Sequence, residues 1–236
     1  LSLHDALPIL AWNICRVVII VFSLLIIHPV ASQTMKEWRD SLETLTAALK
    51  NDPNNIDLRL RKAEADIQLE RWDYALAEYG RILRTDEKNL AALYFRAFVQ
   101  ERQQHYDQAK ADYEAFLAIQ PLHLETRLGL AYVLQKMSRR SDAMDVLNQA
   151  VQMFPDSADA YAARAAFETK YLLYELALYD WNEDIRLRPD NEGFIISKVD
   201  LLIRLKRKKE AREALDDLFS KGTPRGSLKE WYDRAR

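Results

Sequence analysis

Read along its hydrophobic positions, the chain keeps one rhythm over most of its length. Apolar residues recur at steps of three and four within blocks of about a dozen residues, which is the signature of a helix with one buried face. The stretch HYDQAKADYEAFLAIQP, His105 to Pro121, is representative. Ala109, Tyr113, Phe116 and Leu117 fall on one helical face, and the block stops at a proline. Glycine is scarce at 5 residues and proline at 7. So few breakers predict a chain that is mostly helix joined by short turns.

The blocks repeat. Shifted by 34 residues, the sequence falls on itself: Ala75, Ala109, Ala143, Ala177 and Ala211 form one column. Ala63, Ala97, Ala131, Ala165 and Val199 form a second. Pro53, Pro121, Pro155 and Pro189 form a third, with Glu87 and Thr223 in its gaps. Tyr79, Tyr113, Leu147, Trp181 and Leu215 form a fourth. No insertion breaks the register from Ile56 to Arg225. Self-similarity at such a period predicts a solenoid.

These columns resemble the tetratricopeptide repeat, whose pattern has small residues at positions 8 and 20, an aromatic at 24 and proline at 32 of 34. The resemblance covers five complete repeats, 56–89, 90–123, 124–157, 158–191 and 192–225. A partial copy at 33–55 precedes them, with Trp38, Leu45, Ala48 and Pro53 at second-helix positions. Residues 226–236 are expected to form a C-terminal capping helix. The fold implied is all-α, a right-handed α-solenoid of antiparallel helix pairs. Two departures stand out: position 8 carries Ala or Val rather than Gly, and position 4 is Arg59 in the first repeat and Arg127 in the third.

The columns have a physical reading. Helices approach closely only where side chains are small, so the alanines are expected at helix–helix contacts. Proline lacks an N–H and disfavours helix in the residue before it, so it ends the second helix of each pair. Position 7 reads Lys62, Arg96, Leu130, Arg164 and Lys198, while position 23 reads Glu78, Asp112, Val146, Asp180 and Ala214. The two columns change type together through the fourth repeat. They are therefore expected to touch across the hairpin, as Arg96–Asp112 and Arg164–Asp180 bridges and as an apolar Leu130–Val146 contact; the alternative is chance among charged surface positions.

Charge and chemistry narrow the function by exclusion. The net charge is -2 and the pI about 6.2, which gives no electrostatic case for nucleic acid. Cys15 is the single cysteine, so no internal disulfide or cysteine-based metal site can form. His105 and His123 sit near turns, without metal-ligand spacing between them. The sequence carries no glycine-rich phosphate loop, no GxSxG and no HExxH. No catalytic residue, metal, cofactor or small-molecule substrate is expected.

In the family, positions 2, 5, 9, 12 and 13 of the first helix line a concave groove that takes partner peptides. Here those positions are Ala91, Tyr94, Phe98, Glu101 and Arg102 in the second repeat. In the third they are Glu125, Leu128, Tyr132, Gln135 and Lys136. Tyr94, Phe98 and Tyr132 are expected to form an aromatic patch; the alternative is that these rings pack between repeats. Arg102, Lys136, Lys170 and Arg204 share position 13 and make a candidate basic ladder for an acidic or C-terminal carboxylate partner; the alternative is a solvated column. Position 9 has no Asn, which does not support the carboxylate clamp that one subset of the family uses on chaperone tails. The segment LIRLKRKKEAR, Leu202 to Arg212, is the most basic and reads either as a solvated turn or as a docking patch.

The N-terminal region reads differently. Residues 1–9 resemble a translated sequencing adaptor and are expected to be an assembly artefact; the alternative is a natural N-terminus. Residues 10–32 read as a signal peptide: Arg16, the apolar run Val17 to Ile27, then Val30, Ala31 and Ser32 before a cut that leaves Gln33 first. The alternatives are an uncleaved membrane anchor that also uses Leu10 to Trp12, or translation from Met35. The expected role is a protein–protein interaction scaffold or adaptor of the bacterial cell envelope, exported and periplasmic, that binds a peptide or partner domain. A self-assembling or membrane-anchored structural subunit, and an enzyme with its site on the solenoid, are the alternatives.

Overall fold

The computed structural model describes residues 35–236. The expected artefact at 1–9, the leader at 10–32 and the first two residues of the partial repeat lie outside the described residues. Among the described residues there are twelve helices and no strand. The chain divides into two compact units after Pro155.

The N-terminal unit holds α1 (Met35–Asn51), α2 (Ile56–Gln68), α3 (Trp72–Thr85), α4 (Leu90–Arg102), α5 (Tyr106–Ile119), α6 (Leu124–Lys136) and α7 (Arg140–Met153). Each helix packs on the next, and α4 also touches α2 and α6. The C-terminal unit, Asp156–Arg236, holds α8 (Ala158–Lys170), α9 (Tyr174–Leu187), α10 (Glu192–Arg204), α11 (Lys208–Ser220) and α12 (Arg225–Arg234). It stacks in the same chain order, and α12 closes on both α10 and α11. Each unit is thus a stack of antiparallel helix pairs with one helix left over, α1 at the start of the first and α12 at the end of the second, the arrangement of an all-α solenoid. In each pair the first helix is called A and the second B.

Local chemistry sets the helix ends. Asn55, Asn89, His123 and Ser157 stand 34 residues apart, each just before an A helix. Their side chains accept from the backbone N–H of Leu58, Ala92, Thr126 and Ala160, at 3.0, 3.0, 3.2 and 3.4 Å. These are N-caps, which satisfy donors that the first turn leaves unpaired. At the other end, the A–B turns pass through Glu70, Gln104, Ser138, Leu172 and Lys206, with φ between 56° and 64°. The following N–H then reaches back to the helix, as from Arg71 to the Asp66 carbonyl at 2.8 Å and from Leu173 to that of Glu168 at 2.9 Å. This is a Schellman stop built without glycine, at a backbone cost of about 1–2 kcal/mol per turn.

The alanine columns lie where the helices meet. Ala63, Ala75, Ala97, Ala109, Ala143, Ala165, Ala177 and Ala211 are all fully buried. Tyr79, Tyr113, Leu147, Trp181 and Leu215 pack beside them, also buried. Enlarging one of these alanines would overpack a contact that has no room to spare. At the C-terminal end, Leu228 and Ala235 bury α12 and the residue after it against the core of the second unit.

The two arginines at position 4 fit this packing by reaching out of it. Arg127 donates to the Pro121 carbonyl at 2.8 Å and to Gln149 Oε1 at 2.9 Å. Arg59 donates to the Pro53 carbonyl and to Glu78 Oε2, the latter at 2.5 Å. In both places one side chain ties the incoming loop to the next helix.

Candidate functional site

The A-helix face of the N-terminal unit carries most of the residues singled out as groove-lining. Glu64, Phe98 and Tyr132 occupy the same register on α2, α4 and α6, and all three are half-buried. Burial raises the Glu64 carboxyl above its ordinary pKa, with the Arg61 charge opposing. Arg102 is exposed at the end of α4, its guanidinium 5.9 Å from the Trp72 ring centroid. Lys136 is exposed at the end of α6, its ammonium 5.2 Å from the Tyr132 centroid. Both cations therefore sit over aromatic rings, where the ring quadrupole attracts them.

Tyr94 does not join this surface. Its side chain is buried at 5% exposure, with ring contacts to Phe95, Tyr113, Phe116 and His123 at centroid distances of 5.3 to 6.1 Å. Its ring is a packing group between α4 and α5, because position 5 faces the partner helix as well as the groove. Glu101 is buried too and accepts a hydrogen bond from Tyr113 Oη at 2.9 Å. Of the three aromatic residues, Phe98 and Tyr132 are thus the two that remain half-buried.

In the C-terminal unit the position-13 cations are engaged nearby. The Lys170 ammonium lies 5.6 Å from the Tyr171 centroid. Arg204 bonds Asp200 Oδ2 at 2.5 Å, and Arg234 from α12 bonds the same carboxylate. Each of the four position-13 cations has a local partner within its own unit. The basic segment is committed in the same way. Arg207 bonds Glu210 and Glu175, and Lys209 faces Glu213. Lys208 and Arg212 donate to the carbonyls of Arg236 and Ala235. Most of this segment's charge therefore secures its own turn and the C-terminal helix.

The expected hairpin bridges form. Arg96 holds Asp112 through two bonds of 2.7 and 2.6 Å, and Arg164 holds Asp180 through two of 2.6 and 2.8 Å. Lys62 reaches Glu78 at 3.0 Å, while Leu130 is buried on the A helix of the apolar hairpin. Position 11 adds a third member that the paired columns did not reveal: Asp66, Gln100 and Glu168 are buried there in the charged hairpins, and Leu134 in the apolar one. The signal was present, since position 11 lies one turn after position 7 on the same face. Glu168 shows the electrostatic result. Burial and the Asp180 charge push its carboxyl up to about 7, against the opposing Arg164. Asp184 rises to about 6, mainly through burial, with Arg188 opposing. Among the described residues no group of three or more His, Cys, Asp or Glu is arranged to hold a metal ion.

Comparison with known proteins places these features. The tetratricopeptide repeat sequence profile matches residues 34–97 and 101–167, more than half of the chain. A DnaJ protein of rice, P58IPK homolog B, is 32% identical over 130 residues, covering 54% of this chain and 26% of that protein. The human general transcription factor 3C polypeptide 3 is 26% identical over 136 residues, 57% of this chain and 15% of that protein. The chain thus spans about a quarter or less of the length of the curated relatives it matches. Among solved structures, a tetratricopeptide repeat protein from Parabacteroides merdae superposes with a TM-score of 0.67 at 20% identity, covering 85% of this chain and 83% of that one. YrrB, described as a TPR protein with an unusual peptide-binding site, superposes with a TM-score of 0.57 at 19% identity, covering 74% and 90%.

Proposed function

The chain belongs to the tetratricopeptide repeat family, and on that premise we propose that it is a protein-interaction scaffold whose A-helix face receives a peptide or partner domain. The observation that carries this reading is the register of Glu64, Phe98 and Tyr132 on successive A helices, with Arg102 and Lys136 exposed at the helix ends. Half-buried rings beside an acid and two ring-seated cations suit a mixed apolar and charged ligand. YrrB, built on the same fold, has a peptide-binding site. The activity is binding rather than turnover, and the buried acids of the hairpins serve structural pairs.

A photo-crosslinking residue placed at position 98 or 132 in cells is expected to capture a partner. The same residue at exposed position 84, on the B helix α3, is not. With the crosslinker moved to exposed position 102, Phe98→Ala together with Tyr132→Ala should abolish capture. Equal crosslinking from positions 84 and 98 would remove this surface as the site.

The setting proposed is the bacterial envelope, by export. Its support is the sequence alone: Arg16, the apolar run Val17 to Ile27 and the small residues Val30 to Ser32. Mass spectrometry of the N-terminus after expression and fractionation tests this. A periplasmic chain beginning at Gln33 is the expected result, and an uncleaved chain in the membrane fraction favours an anchor.

A further inference from the structure

The side-chain caps before α2, α4, α6 and α8 do one job with two chemistries. Asn55, Asn89 and Ser157 accept through an oxygen that does not titrate, whereas His123 accepts through a ring nitrogen. His123 Nδ1 lies 3.2 Å from the backbone nitrogen of Thr126 and 2.8 Å from its hydroxyl oxygen. A backbone N–H can only donate, so Nδ1 holds a lone pair and the ring proton sits on Nε2. Packing fixes the ring: its centroid is 4.8 Å from that of Phe116 on α5 and 5.8 Å from that of Tyr94 on α4. The His123 side chain keeps 30% exposure, so solvent protons reach it. Thr126 is fully buried, so its N–H cannot turn to water instead.

We propose that His123 is an acid-operated release on α6: protonation of Nδ1 turns the capping acceptor into a donor and uncaps the third A helix, while the other three caps are untouched. Two donors, Nδ1–H and the Thr126 N–H, then face each other across a 3.2 Å contact. The Thr126 hydroxyl can rotate to accept from the imidazolium, but the backbone N–H is left without an acceptor. The new positive charge also stands at a helix N-terminus, where the helix dipole disfavours it. On α6, Glu125 Oε2 lies 3.5 Å from Nδ1 and favours the charged ring. From the helices packed against it, α4 presents the Tyr94 phenol and α5 the Phe116 ring. Burial outweighs Glu125, so the His123 pKa lies below its ordinary 6.5. The native protein thus binds this proton less tightly than the unfolded chain. The cap is complete above about pH 6.5 and is lost as pH falls through the lower folded value. Because α6 carries Tyr132 and Lys136, acid would loosen one side of the surface proposed to receive a partner. That consequence rests on the reading given above; the release itself does not.

The test is NMR of the full chain between about pH 8 and pH 5, reading ring titration and amide exchange together, with each exchange rate corrected for its intrinsic pH dependence. Local exchange is the readout because Glu168, in the C-terminal unit, moves overall stability over the same range. The Ala92 amide is the internal reference, since it holds the same place on α4 behind the Asn89 cap. The neutral ring is expected to show an unprotonated Nδ1 in its nitrogen shifts. As the ring titrates, protection of the Thr126 amide should fall about fivefold relative to Ala92. His123→Asn, the residue of the first two caps, should keep the protection and remove its pH dependence, and His123→Ala should lower it at every pH. A protonated Nδ1 in the neutral ring overturns the proposal. So does a ring that stays neutral across the range, or a Thr126-to-Ala92 ratio that stays level while the ring titrates. The unaltered chain decides the matter by itself if either variant fails to fold. No partner is needed, so failure of the binding surface would leave this result standing.

Discussion

The hairpins α4–α5 and α6–α7 share a unit, a period and the same alanine contacts, yet they join their helices by opposite means. The first uses a bidentate clasp from Arg96 to Asp112 with Gln100 alongside. The second places Leu130, Leu134 and Val146 at the equivalent positions, with both leucines buried. The backbone is indifferent to the choice, and both A helices start and stop at the same register. What the site requires is consistency: two matched charges or matched apolar groups. The fifth hairpin, with Lys198 opposite Ala214, breaks that rule, and a cleft opens there.

The largest effect should come from making the second hairpin inconsistent. Asp112→Val leaves Arg96 without its carboxylate and is expected to cost about 3 kcal/mol in urea unfolding. A cost near zero would show that the bridge is ornamental. A pH-dependent effect comes next, from the fourth hairpin. The Glu168 carboxyl rises from 4.5 to about 7 in the folded state, so the native protein binds this proton more tightly than the unfolded chain. Its contribution is therefore complete below about pH 4.5 and is lost as pH rises through about 7. Glu168→Gln should flatten that decline in thermal unfolding followed across this window, while an unchanged slope would assign it elsewhere.

Smaller changes sharpen the same contrast. Arg96→Leu with Asp112→Val rebuilds the second hairpin in the image of the third. The pair should unfold within about 1 kcal/mol of the native chain or above it, far from the sum of the single changes. The smallest effect concerns the turns that all the hairpins share. Leu172 is 68% exposed at φ 64°, so Leu172→Gly should relieve backbone strain and gain about 0.5–1 kcal/mol, visible as a higher melting temperature.

The repeat was legible because its strongest signals are steric and recur. Ala109 and Ala177 must be small, and Pro121 and Pro189 must end helices, whatever lies around them. The Arg96–Asp112 and Arg164–Asp180 pairs were legible because two columns changed together. Other features were not, for specific reasons. The left-handed turn at Leu172 leaves no mark because no glycine stands there, and the C-terminal hydrogen bonds that define it are backbone bonds. The cap at His123 was hidden by a residue type that more often suggests a metal ligand. The sequence leaves Tyr94 open between groove surface and packing between repeats, because position 5 faces both groove and partner helix. Only the neighbouring rings of Phe95, Tyr113, Phe116 and His123 decide which way it packs. The shared register of Phe98 and Tyr132 is visible in the sequence, but the cations seated on Trp72 and Tyr132 depend on side-chain conformations that a linear pattern does not encode.

Arg127 also bears on how the joints of the N-terminal unit should yield under tension. It fastens the Pro121 carbonyl to Gln149, as Arg59 fastens the Pro53 carbonyl to Glu78. At the intervening joint, before α4, position 4 is Leu93, which has no donor to offer. A pull along the chain must break an arginine rivet to open the joints before α2 and α6, but not the one between them. The joint at Asp86 to Asn89 is therefore expected to open first under tension, and single-molecule pulling that opened the joint before α2 or α6 first would contradict this.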